Sequence, residues 1–394
     1  MVSKSLNEVV LKPITGEWGT EGNKVQILRT TNFTNEGRVN YLKVVERNVD
    51  SNKIEKKKLK IGDIIIEKSG GSPKQPVGRV VFFEKEGVFL CNNFTAILRP
   101  KLDEVVPKYL LYILYCNHKF GFTSAYQNKT TGIINLQLPK YLEGTKIPLP
   151  PLEQQKKIAA ILDAADTYRQ KTKALITKYD ALTQSLFLDM FGDPVRNPKG
   201  WNYKTLDESL EFLTSGSRGW AKYYSDEGSV FLRIQNVGYN ELRLDDLTFV
   251  KAPDSAENRR TKVKAGDLLL TITADLGRTA VIPDSFPDAN INQHLALLRL
   301  KETYNPLFVS SYIASHGGQS LFLKLDKGGV KAGLNFKDLK SYKVFDVPRV
   351  NQDKFEHKIK AIEAQKAQAQ DSLAQAEGLF NSLLQKAFKG ELVS

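Results

Sequence analysis

The side chains best suited to covalent or metal chemistry are few and poorly spaced for either. Four histidines (His118, His294, His316 and His357) and two cysteines (Cys91 and Cys116) are scattered along 394 residues. No HExxH or CxxC spacing occurs. Cys116 near His118 is the one soft-ligand pair, short of the three or four ligands that a zinc site takes. The cysteines are expected to be buried thiols in a reducing cytoplasm. There is no P-loop, no GxGxxG after a strand and no GxSxG. An adenine methyltransferase would carry Asn/Asp-Pro-Pro-aromatic; Asn305-Pro306-Leu307-Phe308 comes nearest and lacks the second proline. No catalytic residue, metal ligand or bound cofactor is assigned.

The remaining chemistry is that of recognition. Net charge is +13 and the pI about 9.4, which favours a polyanion as partner. Reading base edges takes Arg, Lys, Asn or Gln on a rigid support, while phosphates take dispersed cations and backbone amides. Four glycine-rich loops have this make-up: Gly16-Glu17-Trp18-Gly19, Gln127 to Gly132, Thr214 to Trp220, and Lys327 to Gly333. Their candidate DNA-binding residues are Trp18, Asn128, Lys129, Thr130 and Thr131 in the first half. In the second they are Ser217, Arg218, Trp220, Lys327 and Lys331, with Asn292 and Gln293 before an apolar strand. Each loop reads equally as an ordinary glycine turn. The runs Lys53–Lys60 and Arg259–Lys264 are phosphate contacts or solvated surface. Lys156, Lys157, Arg169, Lys171, Lys173 and Lys178 are cations that track a polyanion's backbone or rim charges of a helix pair.

The loops recur because the chain is duplicated. Leu28 to Asn32 matches Leu232 to Asn236, and Lys60 to Ile66 matches Lys264 to Leu270. Gly78-Arg79 matches Gly277-Arg278, Ala96 to Arg99 matches Ala296 to Arg299, and Gly132 to Leu136 answers Gly333 to Phe336. Each half reads as strands with short proline-opened helices, Pro107–Asn117 and Pro306–Ser315. Strands are expected over Val77–Phe83, Phe94–Arg99, Val230–Ile234 and Leu268–Ile272. Each half closes on a long amphipathic segment, Pro148–Gly192 and Val347–Gly390. In the first, the heptad seam is expected through Ile158, Ile161, Ala165, Tyr168, Thr172, Leu175, Tyr179, Leu182 and Leu186. In the second it runs through Phe355, Ile359, Ile362, Lys366, Ala369, Leu373, Ala376, Phe380, Leu383 and Ala387. Such stripes need partners, and antiparallel pairing with one module at each end is the simplest arrangement. The expected fold is α+β: two globular α/β domains separated by two long antiparallel coiled-coil helices with a pseudo-two-fold repeat. Domains are expected at 1–147 and 193–346, with helical segments at 148–192 and 347–394. The longest apolar runs, such as Tyr109–Tyr115, are too short to span a membrane, and the first residues lack a signal-peptide core. A cytoplasmic protein is expected.

The ordered set of motifs resembles the specificity (S) subunit of type I restriction–modification systems over essentially the whole chain. Pro148-Leu149-Pro150-Pro151-Leu152-Glu153-Gln154-Gln155 resembles the family's opening to its conserved helix. Leu186-Phe187 to Gly192 and Leu383-Leu384 to Gly390 resemble its ending, and Ile61-Gly62-Asp63 and Ala265-Gly266-Asp267 a motif of each target-recognition domain. The second helix departs from the pattern, opening on Val347-Pro348-Arg349-Val350-Asn351-Gln352. The resemblance implies two domains that each read half of a bipartite, asymmetric site in double-stranded DNA. It implies helices that set the spacer and dock two modification (methyltransferase) subunits holding S-adenosylmethionine, and restriction (motor-nuclease) subunits using ATP and Mg. A coiled-coil scaffold with two protein-binding modules, or a stand-alone DNA-modifying enzyme, are the competing readings.

Overall fold

A computed structural model of the chain describes residues 2–128, 133–216, 218–326 and 333–392. The chain divides into two compact units, residues 1–173 with 371–394, and residues 174–370.

The central sheet of the first unit has four antiparallel strands in the order Ile14–Thr15, Thr95–Leu98, Ile64–Glu67, Val80–Phe82. The second unit repeats it with Leu210–Ser215, Leu295–Leu300, Leu268–Thr271 and Thr279–Val281. Every residue of Ile64–Glu67 and of Leu268–Thr271 is buried, as expected of unbroken apolar runs covered on both faces. A second sheet in each unit holds one parallel pair, Gln26–Leu28 with Phe89–Cys91 and Val230–Leu232 with Ala289–Ile291. The proline-opened helices are Pro107–Lys119 and Pro306–Ala314.

The repeated Gly-Asp motif is a sheet device. The amide of Asp63 donates to the Lys60 carbonyl, closing a turn in which Gly62 has φ +95°, a conformation that glycine adopts without steric cost. The Asp63 carboxylate then accepts the Lys60 amide at 2.7 Å and both arms of Arg99 at 2.7 Å. Asp267 does the same with the Lys264 amide and Arg299.

The long helices are Leu152–Phe191 and Arg349–Lys389, of 40 and 41 residues, each about 60 Å long at 1.5 Å per residue. They pack together, and the pairing is antiparallel. In the first unit the Arg169 guanidinium lies 4.3 Å from the Phe380 ring centroid, and Ile158 and Leu162 share a core with Phe380 and Leu384. In the second, Phe355 contacts Phe187 and Phe191 at 5.8 and 5.3 Å, and Lys366 pairs with Asp180. Gly192 and Gly390, at φ +84° and +76°, end the helices in the left-handed conformation.

Both helices open on the same polar clamp, although their opening sequences differ. Gln155 accepts the Val106 amide at 2.9 Å and donates to the carbonyls of Glu104 and Pro150. Gln352 accepts the Asn305 amide at 2.7 Å and donates to those of Thr303 and Val347. Both glutamines are buried. Each thereby pins a helix start to the loop ahead of a proline-opened helix.

The seam of the first helix departs from expectation. Ile158 is buried, but Ile161, Tyr168, Leu175 and Leu182 are 39, 56, 42 and 47% exposed. Leu162, Asp166 and Arg169 are buried instead, Thr172 is buried as expected, and Ala165, Tyr179 and Leu186 are half-buried. The reason is electrostatic. Asp166 accepts from Arg38 and from Arg169, so this stripe is polar yet compensated, and hydropathy alone passes over it. On the second helix Phe355, Ile359, Ala369, Ala376, Phe380 and Ala387 are buried, and Ile362, Lys366, Leu373 and Leu383 are half-buried.

Burial pushes the Asp166 carboxyl up, but its bonds to Arg38 and Arg169 outweigh burial and hold it below its ordinary range. Removing the carboxylate strands buried guanidinium charge. Asp166→Ala is therefore expected to destabilise the fold by about 3–5 kcal/mol in denaturant unfolding. A lowered folded-state pKa contributes stability above the unfolded value, near 3.9, and loses it as pH falls through the folded one. The gap between wild type and Asp166→Asn is expected to be full at neutral pH and to shrink below about pH 4. A gap that widens in acid contradicts this.

Candidate nucleic-acid interface

Three segments meet beside the central sheet of the first unit. The Gly16 amide donates to the Thr95 carbonyl and that of Glu17 to Cys91. A Cβ at Gly16 would lie 2.0 Å from the Asn92 carbonyl oxygen, so the loop must be glycine there to lie against the Asn92–Thr95 turn. That turn is closed by the Thr95 amide and hydroxyl on the Asn92 carbonyl. The Phe94 carbonyl accepts the amides of Lys68 and Ser69. The third segment is an arm: Ser69–Gly71 pairs with Ile134–Leu136, which pairs with Gln127–Asn128.

The second unit rebuilds this frame. The Gly216 amide donates to the Leu295 carbonyl, and a Cβ there would lie 2.2 Å from the Ile291 carbonyl oxygen. The Leu295 amide closes the turn on the Asn292 carbonyl, and the Ile272 amide donates to the His294 carbonyl. Thr273 bridges Gly333, and the Leu334 amide donates to Ile272 as that of Leu136 does to Lys68.

The frame carries different side chains in the two units. In the first, Trp18 is half-buried with the Arg47 guanidinium 4.2 Å from its ring centroid. Glu17 pairs with Lys57 at 2.8 Å and Lys53 at 3.5 Å. Its hydrogen bond to Lys57 is the main cause holding that carboxyl below its usual range. Two cations of the Lys53–Lys60 run are thus engaged by protein. Asn128 is exposed at the end of the arm; Lys129, Thr130 and Thr131 lie outside the described residues.

In the second unit Arg218 is exposed, while Ser217, Lys327 and Lys331 lie outside the described residues. Asn292 is buried, and its side chain accepts the His294 amide. The Gln293 amide nitrogen lies 3.1 Å from His294 Nε2, and His294 Nδ1 lies 2.6 Å from the Thr273 hydroxyl. An Nδ1–H donated to Thr273 leaves Nε2 to accept from Gln293, one tautomer serving both contacts. Trp220 needs correction as a reader. It is 4% exposed, stacks on Phe231 with centroids 5.1 Å apart and donates its indole N–H to Glu257. It supports its loop from beneath. Arg260, from the Arg259–Lys264 run, donates to the Ser215 carbonyl at 2.7 Å and braces the same loop.

Sequence reasoning missed Arg47, Lys68, Asn93, Phe94 and Thr273 as parts of this frame. The repeat held the signal for two of them: Asn92-Asn93-Phe94 lies two hundred residues before Asn292-Gln293-His294. Among the described residues no group of three or more His, Cys, Asp or Glu is placed to hold a metal. No described helix is long and apolar enough to cross a membrane. The frame offers amides, a guanidinium and aromatic rings on rigid mounts, the equipment of base and phosphate contact.

Comparison with known proteins agrees with this geometry. Residues 20–178 match the type I restriction modification DNA specificity domain. The chain is 26% identical over 420 residues to the EcoKI specificity subunit of Escherichia coli strain K12, covering 93% of this chain and 87% of that one. It is 24% identical over 310 residues to the EcoBI specificity subunit of Escherichia coli, covering 70% of this chain and 64%, under two thirds, of that relative. Among solved structures, the type I restriction–modification S subunit from M. genitalium is similar in fold, with a TM-score of 0.57 at 16% identity over 98% of this chain and 96% of that one. So is a chain from a structural study of complex assembly and conformational transition of the type I R-M system, at 0.58 and 18% over 99% and 98%. With these matches and its duplicated motifs, the chain is similar over most of its length to the specificity subunits of type I restriction–modification systems.

Proposed function

We propose that this chain is the noncatalytic DNA-reading subunit of its complex, each reading domain taking one half of a bipartite, asymmetric site. The observation that carries this reading is the duplicated three-segment frame with unlike side chains. Trp18, Asn128 and Asn92-Asn93-Phe94 stand in one copy, Arg218 and Asn292-Gln293-His294 in the other. Equal frames with unequal readers suit two different half-sites. The reading domains are assigned to 1–147 and 193–346, with helical segments 148–192 and 347–394. The long helices serve as the spacer ruler; about 60 Å of helix lies between one and two turns of B-DNA at about 34 Å each.

The exposed residues Ile161, Tyr168, Leu175 and Leu182 recur at intervals of seven, which places them along one face of the first helix. This apolar face supports docking of two modification subunits. Those subunits hold S-adenosylmethionine and methylate adenine, and motor-nuclease subunits using ATP and Mg add cleavage in the cytoplasm. This chain itself holds no cofactor.

DNA reading is expected to be steep in salt. The complex with its modification subunits should lose about 10³-fold or more in affinity for target DNA between 50 and 200 mM salt if six or more phosphates are contacted. A flat profile favours the scaffold reading. Arg218→Ala is expected to weaken target binding by about 1–3 kcal/mol and to relax specificity in one half-site alone; equal weakening on all sequences would make Arg218 a phosphate contact. Leu175→Glu with Leu182→Glu should abolish co-purification of the modification subunit without altering thermal stability. Retained co-purification overturns the docking assignment.

A further inference from the structure

Phe94 stands on the first unit's frame with no evident structural task. Phe94 is 47% exposed and belongs to none of the buried apolar clusters. Exposed apolar residues are common on protein surfaces, so exposure alone decides nothing. The mount is what singles this ring out. Its carbonyl is held by two amides, from Lys68 at 2.9 Å and Ser69 at 3.2 Å. The turn behind it is closed twice on the Asn92 carbonyl and pressed by Gly16. Asn93 beside it is exposed, and Ser69 leads through Asn135 to Asn128. The backbone beneath a solvated ring is therefore fixed, on a turn and arm that also carry Asn93, Asn135 and Asn128, amide side chains with the chemistry of base-edge readers. The second unit carries the polar His294 at the same position, tied to Thr273 and Gln293.

We infer that Phe94 is a specificity-determining residue of the first unit, making an apolar contact to a thymine C5-methyl in the half-site that unit reads. A thymine methyl is the apolar feature that the major groove offers, and phenylalanine is among the side chains that contact it. Its mount is shared with those amides, so a base edge read by them lies within the ring's reach. The His294 position makes no such contact, so the two half-sites differ here in the chemistry by which they are read. This inference rests on the DNA-reading function proposed above.

The test uses the full chain assembled with its modification subunits, on its target duplex with single thymines replaced by uracil, which removes only the methyl. One replacement in the first half-site should weaken wild-type binding roughly fourfold, the worth of one buried methyl-sized group. The same replacement should leave Phe94→Ala unaffected, although that variant binds the normal target about tenfold more weakly. Its salt slope and melting temperature should match wild type. Phe94→Leu should retain part of the uracil penalty. Wild-type affinity in Phe94→Ala, an undiminished uracil penalty in that variant, or a first half-site without thymine in either strand overturns the assignment. Absence of site-specific binding by the wild-type complex overturns the DNA-reading function itself, before Phe94 is in question.

Discussion

Each long helix is bolted at its start to a globular part by one buried glutamine. The amide side chain of Gln155, and that of Gln352, is buried and is satisfied by one backbone N–H and two carbonyls. Leaving a buried polar group unsatisfied costs about 1–3 kcal/mol, so the clamp fixes position as well as stability. In each unit the clamp holds the start of a long helix against the loop ahead of the proline-opened helix.

The same economy governs the reading frame. Its three segments are held by backbone hydrogen bonds and by glycines at Gly16 and Gly216, which leaves the side chains of the turns and loops free to vary without disturbing the sheet. The Asp63–Arg99 and Asp267–Arg299 pairs belong to the scaffold, which explains their recurrence in both halves. Under the proposed DNA-reading function, recognition falls on positions that differ between halves, such as Phe94 and His294.

Much of this was legible in the sequence where local pattern and tertiary structure agree. The apolar run Ile64 to Ile66 after a glycine turn becomes a central strand, and Pro107 and Pro306 open helices. The failures have one physical origin: compensation from residues distant in sequence. Asp166 is buried with its carboxylate satisfied by Arg169 and by Arg38, 128 positions away, so the middle of the seam is polar while Ile161, Tyr168, Leu175 and Leu182 face outward. Trp220 sits beside glycines like an exposed loop aromatic, yet Phe231 and Glu257 draw it inside. The clamp glutamine of the second helix was hidden by its unlike neighbours, Val350 and Asn351, and became visible only through its three backbone partners.

The central claim, two unlike readers on one duplicated scaffold, is tested most directly by a base-resolution map of adenine methylation. Cells would express this chain with its modification subunit, and in parallel a chimaera whose residues 200–346 come from a second specificity subunit. The account predicts a two-part asymmetric motif with a fixed gap, of which the chimaera changes one half and keeps the other. A palindromic motif, a change in both halves, or a pattern unaltered when this chain is deleted would contradict it.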